Sequence, residues 1–458
     1  MDVPLDEDGY IPSIRFTDNV DQLAVMTLNR HQNNFNMYFV NPRSTVAKLI
    51  LHDESKYYVD SEWILKIIFS KDNLLYVSEK DGYSHIYLYT ITGVLEKQIT
   101  SGQWDVTAIY GFSPETNTVY YQSSEESPLK RSVYKIDGKG TKTKLSLSSG
   151  TNSATFSSGF KYYINTFSNI STPSFITLHD NKGKQLSVLN DNSEIKSRLG
   201  EVRFKEKEFF TFDNNGEQLN GWMIKPSDFS ANKKYPVVLV QYSGPDSQQV
   251  RDAYGMDWYN YLAEQGYIVV SVDGRGTGAR GTEFRKCTYL KLGLLESDDQ
   301  IAAARYIGQQ SYVDESQIAI WGWSFGGFTT LMSMSRGNGI FKAGVAIAPV
   351  TDWRYYDTVY TERYMRTPKE NHTNYDLCSP LRLAGQLQGR LLLIHGMADD
   401  NVHFQNAAEY MIALQNAGIQ FNAMPYPDKE HSILGAKTRN HLYTGVVDFL
   451  NIYLKGRI

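Results

Sequence analysis

The sequence predicts two architectures in one chain of 458 residues: an all-β partial β-propeller of about four blades over residues 1–200, then an α/β domain built on a mostly parallel sheet over residues 201–458. Three observations carry this reading. A four-strand plan recurs at intervals of about 45 residues through the first two hundred positions. Beyond residue 200 strands alternate with helices. A glycine-flanked serine, Gly322-Trp323-Ser324-Phe325-Gly326, stands between a strand candidate and a helix candidate.

In each repeat an apolar strand ends near a phenylalanine and is followed by three more strands separated by polar turns. The anchors are Phe16, Phe69, Phe112 and Phe156, spaced 53, 43 and 44 residues apart. The third strands, beginning at Asn36, His85, Ser132 and Ser174, keep the same step. Four strands per unit is the signature of a propeller blade. A β-sandwich with coincidental spacing is the alternative, and the independent agreement of anchors and third strands argues against it. No closing strand precedes the first blade, and an open sheet edge is an aggregation liability, so part of a larger ring is expected.

From Asn190 to Arg203 the chain turns polar, and residues 204–225 read as a hairpin around Asn214-Asn215-Gly216. Alternation follows: a buried strand from Pro236, a helix over 258–265, a strand from Tyr267 and a helix over 296–309. The serine turn comes next, then strands from Ala343, Leu391 and Phe421, a helix over 406–417 and a closing helix over 439–454. Such sheets carry their sites beyond the carboxyl ends of the strands.

The glycines around Ser324 suit a nucleophile elbow, where flanking side chains would collide with the neighbouring strand or helix. A bare G-x-S-x-G also occurs as an ordinary turn, so the partners decide. An activated serine needs a histidine base and a carboxylate to orient it. Asp399 follows the strand Leu391–His395, and His431 lies in the loop after the next strand. The order Ser324, Asp399, His431 is that of an α/β-hydrolase. Asp400 competes with its neighbour on sequence alone. His395 reads as a strand-end core residue, and His403 and His441 read as helix residues. The backbone N–H of Phe325 is one oxyanion donor. Tyr242, in the loop after the first core strand, offers a phenolic O–H in place of a His-Gly-Gly run, or simply packs. The aromatic run Trp353–Tyr364 would wall an apolar pocket, with Tyr360 and Tyr364 on one helix face, although the same spacing fits a helix packing into the core.

Composition narrows the class. Hydrophobic residues make up 41% and charged residues 21%, and 46 basic against 50 acidic side chains give a net charge of −4. No basic stripe suggests nucleic acid, and no apolar stretch is long enough for a membrane helix. The acidic start Met1-Asp2-Val3 does not read as an export signal. Cys287 and Cys378 read as free thiols. No His/Cys/carboxylate grouping has metal-ligand spacing, so a reaction without metal or cofactor is expected.

Three motifs, Gly322-Trp-Ser-Phe-Gly-Gly, Tyr360-Thr-Glu-Arg-Tyr-Met and His395-Gly-Met-Ala-Asp-Asp-Asn-Val-His-Phe, resemble the dipeptidyl peptidase IV branch of the prolyl oligopeptidase family. The resemblance covers the whole second domain and, more loosely, the blades. It implies Ser324 as nucleophile, Asp399 as orienting acid, His431 as base and Tyr242 as oxyanion donor. Val350, Trp353, Tyr360, Tyr364 and Val402 would wall a pocket for proline or alanine, and Asn401 would hold a substrate carbonyl. The implied activity is release of X-Pro or X-Ala dipeptides from peptide N-termini. The alternatives are a less selective oligopeptidase or esterase and a catalytically silent interaction fragment. The family's paired glutamates for the substrate ammonium, and its carbonyl-holding arginine, belong to the front half of the propeller, which this sequence does not contain. Glu125-Glu126 does not match that motif. Homodimer formation and a periplasmic or secreted location are further expectations from the resemblance, while the absence of the family's hydrolase-domain cysteines argues against its extracellular disulfide pattern.

Overall fold

The computed structural model describes residues 3–200 and 204–456. The boundary expected at residue 200 adjoins residues 201–203, which lie outside the described residues. Two compact units appear: Met1–Lys196 with Arg251–Tyr254 and Ala279–Lys286, and Ser197–Val250 with Gly255–Gly278 and Cys287–Ile458. The stretch read as a polar linker carries a short helix, Ser193–Gly200.

The first unit holds four four-stranded antiparallel sheets, each a meander of consecutive strands. They run through Tyr10–Glu54, Ile68–Gln98, Val106–Lys144 and Thr151–Asn190. Inner strands of the first three sheets are buried almost throughout, as in Leu23–Leu28 and Asn73–Ser78, whereas those of the fourth, Tyr162–Asn169 and Thr172–Asp180, are buried only at intervals. Last strands such as Leu95–Gln98 and Gln185–Asn190 face water and are polar or mixed. One core cluster joins the first three sheets through Met26, Phe35, Leu74, Ile86 and Tyr121, and a satellite around Tyr120, Leu145 and Tyr163 serves the fourth. The phenylalanine spacing survives, but its meaning differs at one position. Phe112 is buried, whereas Phe16 is 91% exposed, because no described residue covers its ring.

Two short segments of the downstream sequence belong to this unit. Asp252 donates its N–H to the Leu129 carbonyl (2.8 Å) and accepts from Thr151 Oγ1 (2.9 Å). In the helix Gly281–Lys286, Arg285 pairs with Asp60 (2.7 Å) and Glu79, and the fully buried Lys286 bonds the Tyr58 carbonyl (2.6 Å) and Glu79.

The second unit is organised on one eight-stranded sheet. Its strands are β1 (Glu208–Asn214), β2 (Glu217–Ile224), β3 (Tyr235–Val240), β4 (Ile268–Asp273), β5 (Val313–Trp323), β6 (Ala343–Ile347), β7 (Arg390–Gly396) and β8 (Asn422–Tyr426). Their spatial order is β1-β2-β4-β3-β5-β6-β7-β8. The β1–β2 hairpin turns on Asn215 and Gly216, both at positive φ (56° and 88°), as a two-residue turn matched to strand twist requires. β2 runs antiparallel to β4, and every pairing from β4 to β8 is parallel. The loops leaving β3, β5, β6, β7 and β8 therefore emerge on one edge, carrying Tyr242, Ser324, Val350, Asp399 and His431 respectively.

An ion pair ties the helix Leu294–Gly308 to the end of β1 and to the loop after β4. Asp299, with no side-chain exposure, accepts from Arg275 Nη2 (2.7 Å), the Arg275 backbone N–H (2.7 Å) and Asn214 Nδ2 (2.7 Å). Removing one partner strands a desolvated charge. Asp299→Ala is expected to lower the stability of this unit by about 3–5 kcal/mol, read from the midpoint of urea unfolding followed by tryptophan fluorescence; a loss within about 1 kcal/mol, the range of an exposed pair, would contradict it.

Candidate active site

β5 ends at Trp323 and the helix Phe325–Arg336 begins two residues later, so Ser324 makes the whole turn, at φ 59° and ψ −119°. A Cβ on Gly322 would lie 2.2 Å from the backbone of Gly326, and one on Gly326 would lie 2.4 Å from the Gln241 carbonyl oxygen. No larger residue fits either position. Serine at a helix start commonly spends its hydroxyl on capping. Ser324 makes no such bond, and the Tyr242 phenol is a neighbour of its hydroxyl.

Tyr242 is placed by its neighbour. Gln241 donates from Nε2 to the Gly326 carbonyl (2.7 Å) and to Thr330 Oγ1 (3.2 Å), fastening the loop after β3 to the first turn of the elbow helix. Burial pushes the Tyr242 phenol above its ordinary range, and the neighbouring Ser324 hydroxyl opposes this. As the first helical residue, Phe325 has a backbone N–H with no intrahelical acceptor.

Asp399 lies in the turn after β7 and His431 in the loop after β8, and Asp399 Oδ2 accepts from His431 Nδ1 at 2.8 Å. Asp399 Oδ1 accepts the backbone N–H groups of Asn401 (3.0 Å) and Val402 (2.9 Å). Burial alone would raise the Asp399 carboxyl; the hydrogen bonds from His395 and His431, the charge of His431 and the backbone donors hold it well below the usual carboxylate range. Asp400 is exposed and does not occupy this position. The His431 loop is fastened to the elbow: Trp323 Nε1 donates to the His431 carbonyl (3.1 Å), Arg439 lies 4.5 Å from the Trp323 ring centroid, and Arg439 Nη2 donates to the Ser432 carbonyl (2.6 Å).

Beside the elbow, Val350, Trp353, Phe325 and Val402 belong to one buried apolar cluster, with Tyr242, Tyr356, Tyr360 and Tyr364 packed against it. Tyr360 stacks on Trp353 (6.1 Å, 21°), and Tyr356 meets both edge-on at 5.2 Å and 6.0 Å. Tyr364 stands 4.8 Å from Tyr360. Tyr356 donates its O–H to Asn401 Oδ1 (2.9 Å), which turns the Asn401 NH2 to the other side. Burial and then the charge of Asp357 push the Tyr356 phenol up to about 12, so it remains a donor. An open cleft of about 480 Å³, lined in part by Tyr356, Asp357, Asp400 and Asn401, adjoins this wall.

All the candidate residues of the second unit thus gather at one sheet edge. Tyr356, Gln241, Trp323 and Arg439 were not singled out from the sequence. Tyr356 extends the four-residue spacing of Tyr360 and Tyr364 by one step, a signal that would have found it. His403 lies in the turn before the helix Gln405–Asn416 rather than within it. Glu125 and Glu126, in the first unit, are paired with Lys142 and Lys144. Both cysteines are free thiols.

An eight-stranded sheet with a strained serine elbow, an Asp–His pair on the following strand ends and blade-like sheets upstream defines a protein of α/β-hydrolase fold with a partial propeller. Comparison with known proteins refines the class. The model of the prolyl oligopeptidase family matches residues 255–457, and that of the dipeptidyl peptidase IV N-terminal region matches residues 1–174. Mouse prolyl endopeptidase FAP is 38% identical over 402 residues, covering 83% of this chain and 52% of the relative. Bovine dipeptidyl peptidase 4 is 38% identical over 387 residues, covering 82% and 50%. The crystal structure of Porphyromonas gingivalis dipeptidyl peptidase 4 superposes with a TM-score of 0.97 at 57% identity, covering 99% of this chain and 65% of that one. The chain belongs to the dipeptidyl peptidase IV branch of the prolyl oligopeptidase family. It spans about half the length of these mammalian relatives.

Trp323→Phe keeps the ring beneath Arg439 and removes one N–H from the His431 carbonyl. A buried hydrogen bond of about 0.5–1.5 kcal/mol is at stake. Labelling of Ser324 by a serine-directed phosphonate is expected to slow up to about tenfold with the unfolding midpoint nearly unchanged; an unaltered labelling rate would show that this tie does not set the geometry.

Proposed function

We propose that this chain carries the catalytic domain of a serine exopeptidase that releases X-Pro or X-Ala dipeptides from peptide N-termini. The observation that carries the reading is the aromatic and aliphatic wall of Val350, Trp353, Tyr356, Tyr360 and Val402 beside the Ser324 elbow, with Tyr364 behind Tyr360. A flat apolar ring suits such a slot, and proline brings no N–H that the wall would leave unpaired. Asn401, turned by Tyr356, offers its NH2 to a substrate carbonyl.

In the proposed cycle Ser324 Oγ attacks the carbonyl carbon of the proline or alanine residue as His431 takes its proton, with Asp399 holding the imidazole through Nδ1. The Tyr242 O–H and the Phe325 N–H receive the oxyanion. His431 then protonates the leaving amine, and water, activated by the same histidine, hydrolyses the acyl-enzyme. A less selective peptidase is the second reading, favoured by the name of the mouse relative, an endopeptidase. The ammonium grip implied by the family lies in the propeller's front half, so a free-amine requirement is the point on which the readings part.

Turnover of Gly-Pro-anilide beside its N-acetylated twin tests this. The free amine alone should be cut, and Ser324→Ala should abolish the reaction; equal cleavage of both would favour the endopeptidase reading, and no cleavage of either would end both. Tyr242→Phe is expected to lower kcat by about 100- to 1,000-fold. The neutral phenol is the donor, tyrosine ordinarily ionises near pH 10, and burial moves Tyr242 upward. Ionisation of Tyr242 should therefore not reduce kcat below about pH 10; a wild-type decline near pH 8 that disappears in Tyr242→Phe would contradict this assignment.

A further inference from the structure

His395 occupies the next-to-last position of β7 and is 1% exposed. Its Nε2 faces two acceptors at once, the Val402 carbonyl at 2.7 Å and Asp399 Oδ2 at 3.2 Å. Neither acceptor carries a proton to share: a carbonyl never does, and the Asp399 carboxyl is held ionised. The hydrogen must sit on Nε2. Nδ1 is buried with no hydrogen-bond partner among the described residues, and the Phe404 ring stands edge-on to the imidazole at 5.6 Å. A second proton on Nδ1 would be an unpaired buried donor, so the neutral Nε2–H form fits the site.

The consequence lies in what this one N–H joins. Asp399 Oδ2 receives His431 at 2.8 Å and lies 3.2 Å from His395 Nε2, while Oδ1 receives two backbone N–H groups. Both oxygens are thus held, and the carboxylate has no alternative rotamer that keeps its donors. Val402, whose carbonyl takes the shorter bond, is a fully buried wall of the apolar pocket.

We propose that His395 is a positioning residue for the reaction inferred above, a role that rests on that reading: its Nε2–H, bonded to the Val402 carbonyl and held 3.2 Å from Asp399 Oδ2, sets the depth of the Val402 wall and, by its charge-dipole contact, the plane of Asp399 and through it the direction of His431. A core histidine that merely fills space would affect stability and nothing else.

The variants His395→Phe, which keeps an aromatic ring without the donor, and His395→Gln, which restores an N–H, separate the two roles. With Gly-Pro-anilide, His395→Phe is expected to lower kcat by about tenfold with KM changed less than twofold, and His395→Gln to recover most of it. The deshielded proton between His431 Nδ1 and Asp399, read by NMR without substrate, should shift in His395→Phe and return towards its wild-type position in His395→Gln. Unchanged kcat and an unmoved resonance beside a lowered unfolding midpoint would overturn the proposal. The wild-type protein gives a test that needs no folded variant: 15N-histidine spectra should show His395 protonated on Nε2, and protonation on Nδ1 would overturn the proposal outright. If the wild type turns over no anilide yet the resonance and tautomer behave as expected, the peptidase reading fails while the positioning of Asp399 by His395 stands.

Discussion

Backbone-to-backbone approach without a Cβ in the way is the constraint on which the rest of the site depends. At Gly322 and Gly326 a side chain would lie within 2.4 Å of neighbouring backbone atoms. Their absence lets β5 turn directly into a helix and lets the loop after β3 press onto that helix. The pressing is used twice. The Gln241 carbonyl occupies the space a Cβ on Gly326 would need, and the Gln241 side chain bonds the Gly326 carbonyl, so Tyr242 is delivered to the hydroxyl of Ser324. The same device recurs between acid and base. A Cβ on Gly396, the last residue of β7, would lie 2.2 Å from the Lys429 carbonyl, and Ala398 donates its N–H to that carbonyl at 3.0 Å. Three glycine contacts therefore set the four candidate residues Tyr242, Ser324, Asp399 and His431, and the strained φ of Ser324 is maintained by packing that no single side chain supplies.

Much of this was legible in the sequence because the signals are local. The glycine spacing about Ser324, the Asn-Gly turn of the β1–β2 hairpin and the succession of strand-end loops each depend on backbone rules that act within a few residues. The four-strand plan of the first unit was legible for a related reason: strand, turn and strand recur along the chain. What stayed hidden depends on contacts between distant positions. Nothing in the sequence around Gly281–Lys286 announces that Arg285 and Lys286 will meet Asp60 and Glu79, more than two hundred residues upstream. Phe16 shows the converse failure, since it keeps the spacing of a buried anchor while its ring is exposed. Tyr356 lies outside the reach of helical periodicity. It sits in extended backbone (φ −114°, ψ 163°) before the helix Thr358–Met365, yet reaches the same rings.

His395 and His431 show how one residue type takes two roles from its surroundings. Both imidazoles touch the same oxygen of Asp399. His431 is partly exposed, on a loop, and presents its second nitrogen away from the carboxylate, as the proposed base would need. His395 is enclosed, with its one donor bonded to the Val402 carbonyl beside Asp399 and its other nitrogen against apolar surroundings. Sequence position separates them only as strand end against loop. The geometry separates them by what each nitrogen faces.

The pocket is continuous with the core, and this limits how its selectivity can vary. Val350, Trp353 and Val402 are all at or below 2% exposure, within the cluster that also contains Phe328, Met332 and Met365. Altering any of them changes core packing as well as the slot, so a wall substitution costs stability and binding together. Tyr356 and Asn401 are different. They stand at the rim, joined by one hydrogen bond and bordering the open cleft, where a change of side chain disturbs little of the interior. Depth and width of the slot are therefore set by the fold, whereas the polar pair at its rim, to which the proposed function gives the orientation of the substrate chain, can change without unfolding the domain.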